Sequence, residues 1–99
     1  MQWSGFQVIT ASPTAALTSR AMLAVTTSSI PITINLPTPG SVISGLVYVV
    51  KDVTGQANTN NITLQVTGGA NINGSATFVI SQSYGAVTLF CDTTQWYTF

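Results

Sequence analysis

The stretch Ile30-Pro31-Ile32-Thr33-Ile34-Asn35-Leu36 decides the fold class. Every even position is apolar, so Ile30, Ile32, Ile34 and Leu36 fall on one face of a β-strand. Pro31 cannot donate to a sheet ladder, which places this strand at an edge or makes Pro31 its beginning. The same period of two recurs along the chain. In Asn61–Thr67, Ile62, Leu64 and Val66 point inward and Thr63 and Gln65 outward. Thr77–Ser81 sets Phe78 and Ile80 to one side, and Ala86–Cys91 does the same with Val87, Leu89 and Cys91. Leu46–Val50 is continuously apolar, the pattern of a central strand buried on both faces.

Turn chemistry separates these runs. Pro37-Thr38-Pro39-Gly40, the Asn-rich Asn58-Thr59-Asn60-Asn61, Gly68-Gly69, Asn73-Gly74, Tyr84-Gly85 and Asp92-Thr93-Thr94 all interrupt the alternation. Asn-Gly is the favoured pair for a tight primed turn. Short strands spaced by roughly 8–12 residues predict an all-β chain, a small antiparallel β-sandwich or jelly-roll-like barrel over residues 30–99. Residues 1–29 lack a sustained stripe. A helix over Thr14–Leu23, with Pro13 near its start, competes with an extended N-terminal arm or edge hairpin. The β-branched threonines disfavour the helix, so the arm or hairpin is expected.

Composition narrows the function. Of 99 residues, 45% are hydrophobic and 4% charged, with no His and a net charge of zero, against roughly 25% charge in ordinary soluble domains. Arg20 and Lys51 cannot neutralise the phosphates that nucleic-acid binding requires, nor hold the chain on an anionic membrane. The longest apolar stretch, Val42–Val50, falls far short of the ~20 residues of a membrane-spanning helix. No secretory signal opens the chain, so synthesis in a cytoplasm without export is expected. Acid–base catalysis has almost nothing to draw on, and one cysteine makes neither a zinc site nor an internal disulfide. No enzyme, cofactor or metal site is expected.

The chemically suggestive residues have plain structural readings. Cys91 has no histidine to make it a thiolate and continues the stripe of Val87 and Leu89, which reads as core. Asp52 and Asp92 each stand where a strand runs into a turn, where a carboxylate bonds nearby amides rather than forming a dyad. Asn61-Ile62-Thr63 and Asn73-Gly74-Ser75 match a glycosylation pattern but read as turns. Trp96 reads as a closing element of a small core. Trp3 and Phe6 lie in a segment with little core of its own and, with Val8, Leu17 and Met22, are the candidate contacts to another chain. So few charges leave strand edges and apolar surface unguarded. Burial between identical copies removes both liabilities.

From about Val42 to Phe99 the chain resembles a β-structured domain of bacteriophage virion proteins: capsid decoration or head-fibre proteins and tail-fibre tips. The residues that carry the resemblance are Tyr48-Val49-Val50-Lys51-Asp52-Val53-Thr54-Gly55-Gln56-Ala57, Thr59-Asn60-Asn61-Ile62-Thr63-Leu64, Gly68-Gly69, Ile72-Asn73-Gly74, Ser83–Leu89 and Trp96-Tyr97. Two turns depart from the pattern, at Asn73 and at Asp92-Thr93. The resemblance implies a non-enzymatic, trimeric or otherwise oligomeric protein of the virion. A short segment ahead of one domain suits a cement protein on the outer capsid surface, bridging copies of the major capsid protein and stabilising the shell by mass action. The alternatives are a receptor-binding tip, with loop 54–61 and Tyr84 against a host glycan, and a carbohydrate-binding module unrelated to viruses.

Overall fold

Nine strands lie among the described residues: β1 (Phe6–Ile9), β2 (Thr14–Ala15), β3 (Met22–Val25), β4 (Ile32–Leu36), β5 (Val47–Asp52), β6 (Ile62–Val66), β7 (Thr77–Ile80), β8 (Ala86–Cys91) and β9 (Trp96–Thr98). The structure, a computed structural model, describes residues 6–16, 22–27, 29–42 and 45–99, with Phe6 described by its backbone alone. No helix occurs among the described residues. The expected all-β class holds, as two sheets ordered β1-β3-β5-β8-β9 and β2-β4-β6-β7.

The pairing sense is mixed. β1, β3 and β5 run parallel side by side, as do β2, β4 and β6. The pairs β5–β8, β6–β7 and β8–β9 are antiparallel. The first six strands therefore alternate between the sheets, and the chain coils, each turn adding one strand to each layer. A parallel neighbour always needs a crossover connection. Here a strand of the facing sheet fills that role in place of a helix. A turn signal reports that the chain bends, not in which layer the next strand lands, which is why short loops suggested an antiparallel sandwich.

One strand takes the second of its two expected places, and another departs from expectation. β4 lies inside its sheet, between β2 and β6, with Pro31 just ahead of its first residue, so the proline begins the strand without making it an edge. β5 is central as expected, between β3 and β8, but it is not buried on both sides. Tyr48, Val50 and Asp52 are buried while Val47, Val49 and Lys51 are only half-buried. The segment expected as an arm or edge hairpin, 1–29, supplies β1, β2 and β3 among its described residues. β1 and β3 pair in parallel, which a hairpin cannot do, and Ile9, Leu23 and Val25 enter the core.

The core lies between the layers. Ile32, Ile34, Leu36, Ile62 and Leu64 from one sheet meet Leu23, Val25, Tyr48, Val50, Leu89 and Trp96 from the other, all fully buried. Trp96 closes one end: its ring lies 5.4 Å from that of Tyr48, and its Nε1–H donates to the Pro37 carbonyl at 3.0 Å. Segment 71–73 runs beside β9, where Asn73 N donates to Trp96 O at 2.9 Å and Trp96 N to Asn71 O at 2.9 Å. The primed turn expected at Asn73-Gly74 is present, with φ of 52° and 80° and a bridge between Ile72 and Ser75. Such burial sets the energetic scale. Ile34→Ala should destabilise the protein by about 2–5 kcal/mol through lost transfer energy and a residual cavity, read as a lower midpoint in denaturant unfolding with an unchanged slope.

Candidate functional site

The outer faces of the two sheets differ in chemistry. Across β4 and β6 the outward residues Thr33, Asn35, Thr63 and Gln65 form a neutral polar ladder, in which Gln65 Nε2 donates to Asn35 Oδ1 at 2.7 Å. The five-stranded sheet turns apolar residues outward. Register places Val8 beside Ala24, Ala24 beside Lys51, Met22 beside Val49, and Val47 beside Phe90. Residues paired across a sheet share a face. Val8, Met22, Ala24, Lys51 and Val53 line an open groove of about 430 Å³. Val8 is 59% exposed. At the other end Phe90 stacks on Tyr97 at 5.4 Å and meets Phe99 edge-on at 5.5 Å. An antiparallel or mixed sheet with one solvated face normally makes that face polar. Here each 100 Å² covered by a partner would contribute about 2.5 kcal/mol before association costs.

A buried carboxylate anchors the Lys51 end of this face. Asp52 ends β5 and is fully buried. Its Oδ1 accepts from the amides of Thr54 (3.0 Å) and Gly55 (3.1 Å) and from the Thr54 hydroxyl (3.1 Å). Its Oδ2 accepts from the amides of Ala57 and Tyr84, both at 3.0 Å. Burial alone would raise this carboxyl, but the amides of Ala57, Thr54 and Tyr84 and the Thr54 hydroxyl outweigh it and hold it below the ordinary 3.8. The network reaches a third loop. The Thr27 amide donates to Thr54 Oγ1 at 3.1 Å, and Asn60 Nδ2 donates to the Thr27 carbonyl at 2.8 Å. Lys51, one residue before Asp52, turns outward and its Nζ donates to the Tyr84 carbonyl.

The remaining candidates resolve as structure. Asp92 makes its own turn, accepting from the amides of Thr94 (2.7 Å) and Gln95 (2.9 Å), and these bonds pull its carboxyl down to about 2. Each aspartate is thus occupied by loop amides, Asp92 by its own turn and Asp52 by its own turn and the Tyr84 loop, and neither is half of a dyad. Cys91 is buried in the core and burial pushes its thiol up, away from the reactive thiolate. Tyr48 is likewise pushed up, to about 12, chiefly by burial. Among the described residues no group of three or more His, Cys, Asp or Glu side chains could hold a metal ion. No helix among them is long and apolar enough to cross a membrane.

Of the candidate contacts read from the sequence, Val8 and Met22 come together in the apolar groove. Trp3, Leu17 and the Phe6 side chain lie outside the described residues, although the Phe6 backbone pairs with Met22 on the same sheet. Ala24, Val49, Lys51, Val53 and the Phe90–Tyr97–Phe99 cluster were not expected on this face. For Val49 the signal was present: an unbroken apolar run at Leu46–Val50 implies burial on two sides, and the described residues cover only one, whereas the others reach this face through the register.

A family model described as "Bacteriophage T4 gp9/10-like protein, N-terminal" matches residues 3–97. The matched span takes in all nine strands apart from Thr98, the last residue of β9, and begins ahead of β1. No curated protein matches the chain.

The Asp52 hub predicts a specific acid sensitivity. A carboxyl lowered on folding stabilises the native state above its unfolded value of about 3.9 and loses that contribution as pH falls through the folded value. Unfolding midpoints should therefore drop below about pH 4. Asp52→Asn keeps one acceptor but turns an N–H₂ toward amide donors, and should cost on the order of 2–4 kcal/mol at neutral pH. It should also flatten the acid limb, which a denaturation series from neutral to acid pH would resolve.

Proposed function

The chain belongs to the bacteriophage T4 gp9/10-like family, a family of bacteriophage structural proteins, and from that premise we propose that it is a non-enzymatic building block of the virion. In this reading it assembles with further copies of itself through the outer face of its five-stranded sheet. The observation that carries it is the contrast between the two outer faces. The neutral polar ladder of Thr33, Asn35, Thr63 and Gln65 suits solvent, whereas Val8, Met22, Ala24 and Val49 suit a partner. A second copy is the fitting occupant. The groove carries no carboxylate for a cationic partner and a single cation, Lys51, already turned to the Tyr84 carbonyl, for an anionic one, so a strongly charged partner would find little to match it there. A trimer or another oligomer is what the sequence resemblance implies.

The seat on the particle is the finer part of the proposal. The family takes its name from a tail-fibre and a baseplate protein, which favours the tail over the outer capsid surface and the major capsid protein expected from sequence. Quantitative mass spectrometry of purified particles distinguishes the seats. A small copy number relative to the major shell subunit places the protein in the tail or baseplate. A number comparable with that subunit makes it a shell cement, and absence from the particle ends the virion reading. For the interface, Val8→Glu combined with Met22→Glu should convert the oligomer to monomer in multi-angle light scattering while leaving the circular dichroism spectrum unchanged. A wild type that is already monomeric at assembly concentrations would refute the self-association.

A further inference from the structure

Tyr84 occupies a backbone conformation that its side chain does not favour. Its φ is 59°, in the left-handed region where glycine and asparagine are at home and an aromatic residue is strained. Its neighbours enforce that conformation. Asp52 Oδ2 holds the Tyr84 amide at 3.0 Å, and Lys51 Nζ holds the Tyr84 carbonyl. The ring packs against Gly55, where a Cβ would stand only 2.6 Å from Cε2 and 2.7 Å from Cζ, so the glycine is what lets the ring approach the loop this closely. Ser83 Oγ donates to the Gly55 carbonyl at 2.7 Å and ties the two loops together. Despite these restraints Tyr84 is 56% exposed. Structure is therefore spent on holding an aromatic surface still and leaving it open.

We propose that Tyr84, seated on Gly55, is the stacking platform of a binding site for a neutral saccharide. The chemistry around the ring selects that class. A pyranose offers an apolar C–H face to an aromatic ring and hydroxyls to neutral amides and alcohols at its rim. Gln56, Gln82 and Ser83 are exposed neighbours of that kind. The Lys51 ammonium, 5.9 Å from the ring centroid, is committed to the Tyr84 carbonyl. The nearest carboxylate, Asp52, is buried and faces the amides. The site uses the loops at the Lys51 end of the sheet and shares Lys51 with the apolar groove, whose Val8 end separates the self-association proposed above from it.

The test is saturation-transfer NMR on the full chain with maltose, cellobiose, lactose and chitobiose, repeated on Tyr84→Asn, Tyr84→Phe and Val8→Glu. Binding by at least one sugar is expected, with transfer concentrated on the C–H protons of one ring face. Tyr84→Phe and Val8→Glu should retain binding, and Tyr84→Asn should weaken it by about tenfold or more. Because asparagine suits a positive φ, Tyr84→Asn should melt no lower than the wild type. No transfer from any of the four sugars overturns the proposal, as does binding that survives Tyr84→Asn unchanged. Binding lost in Val8→Glu puts the sugar on the apolar groove and also overturns it. A Tyr84→Asn protein that melts lower, or that loses its oligomer, shows the ring to be a structural prop or a protein contact, with the same consequence.

Discussion

The carboxylate of Asp52 is the constraint on which one end of the molecule depends. An unpaired charge at a fully buried position would cost several kcal/mol or force the group to take up a proton. Five hydrogen bonds to its two oxygens remove that penalty, and they come from two loops. Through Thr54 and Asn60 the same carboxylate governs the connection after β3. The loops therefore have one mutually satisfying arrangement, since displacing any of them strands a charge. Their consequence is positional. Lys51 is fixed at the end of the outer face, and Tyr84 is fixed in a conformation that its own side chain would not choose.

Backbone strain and glycine placement follow from the same anchor. Gly55 is required against the Tyr84 ring, and Gly85 is required because a Cβ there would stand 2.7 Å from Ile80 Cγ2 and 2.8 Å from the Gln82 carbonyl. Both belong to loops that Asp52 organises. The energy comes from charge-assisted hydrogen bonds, stronger than neutral ones. It is set against local strain of about 1–3 kcal/mol at a residue such as Tyr84.

Much of this was legible in the sequence, and the rest was hidden for identifiable reasons. Period-two patterning located β4, β6, β7 and β8 and gave their inward residues, because burial of alternate side chains is a local property of a strand; Ile30, read as the first residue of the β4 stripe, instead lies ahead of the strand and is exposed. Trp96 and Cys91 were read as core for the same reason, and both are buried. Parallel pairing was not legible. Val25 meets Asp52, and Ile34 meets Leu64, across long sequence separations that no local pattern encodes. Nor did β1 to β3 announce themselves, because Ile9, Leu23 and Val25 become core only when β5 lies beside them. The groove was half-visible. Val8 and Met22 stood out as apolar residues with nothing local to cover them, whereas Ala24 and Lys51 join them only through the register.

The scarcity of charge acquires a physical meaning in this architecture. A sheet protein usually guards its edges and outer faces with Lys and Glu. Of the three charged residues described here, Asp52 is spent inside the fold and Asp92 inside a turn, leaving Lys51 alone on the outer sheet face. Solubility then rests on neutral amides and hydroxyls, concentrated on the four-stranded sheet. Neutral polar groups repel other proteins weakly, and apolar ones attract them, so a chain built this way gains by being covered on one side. The continuously apolar β5 carries that requirement in its sequence. Tyr48 and Val50 are covered by the protein's own second sheet, whereas Val47 and Val49 turn outward and stay only half-buried among the described residues.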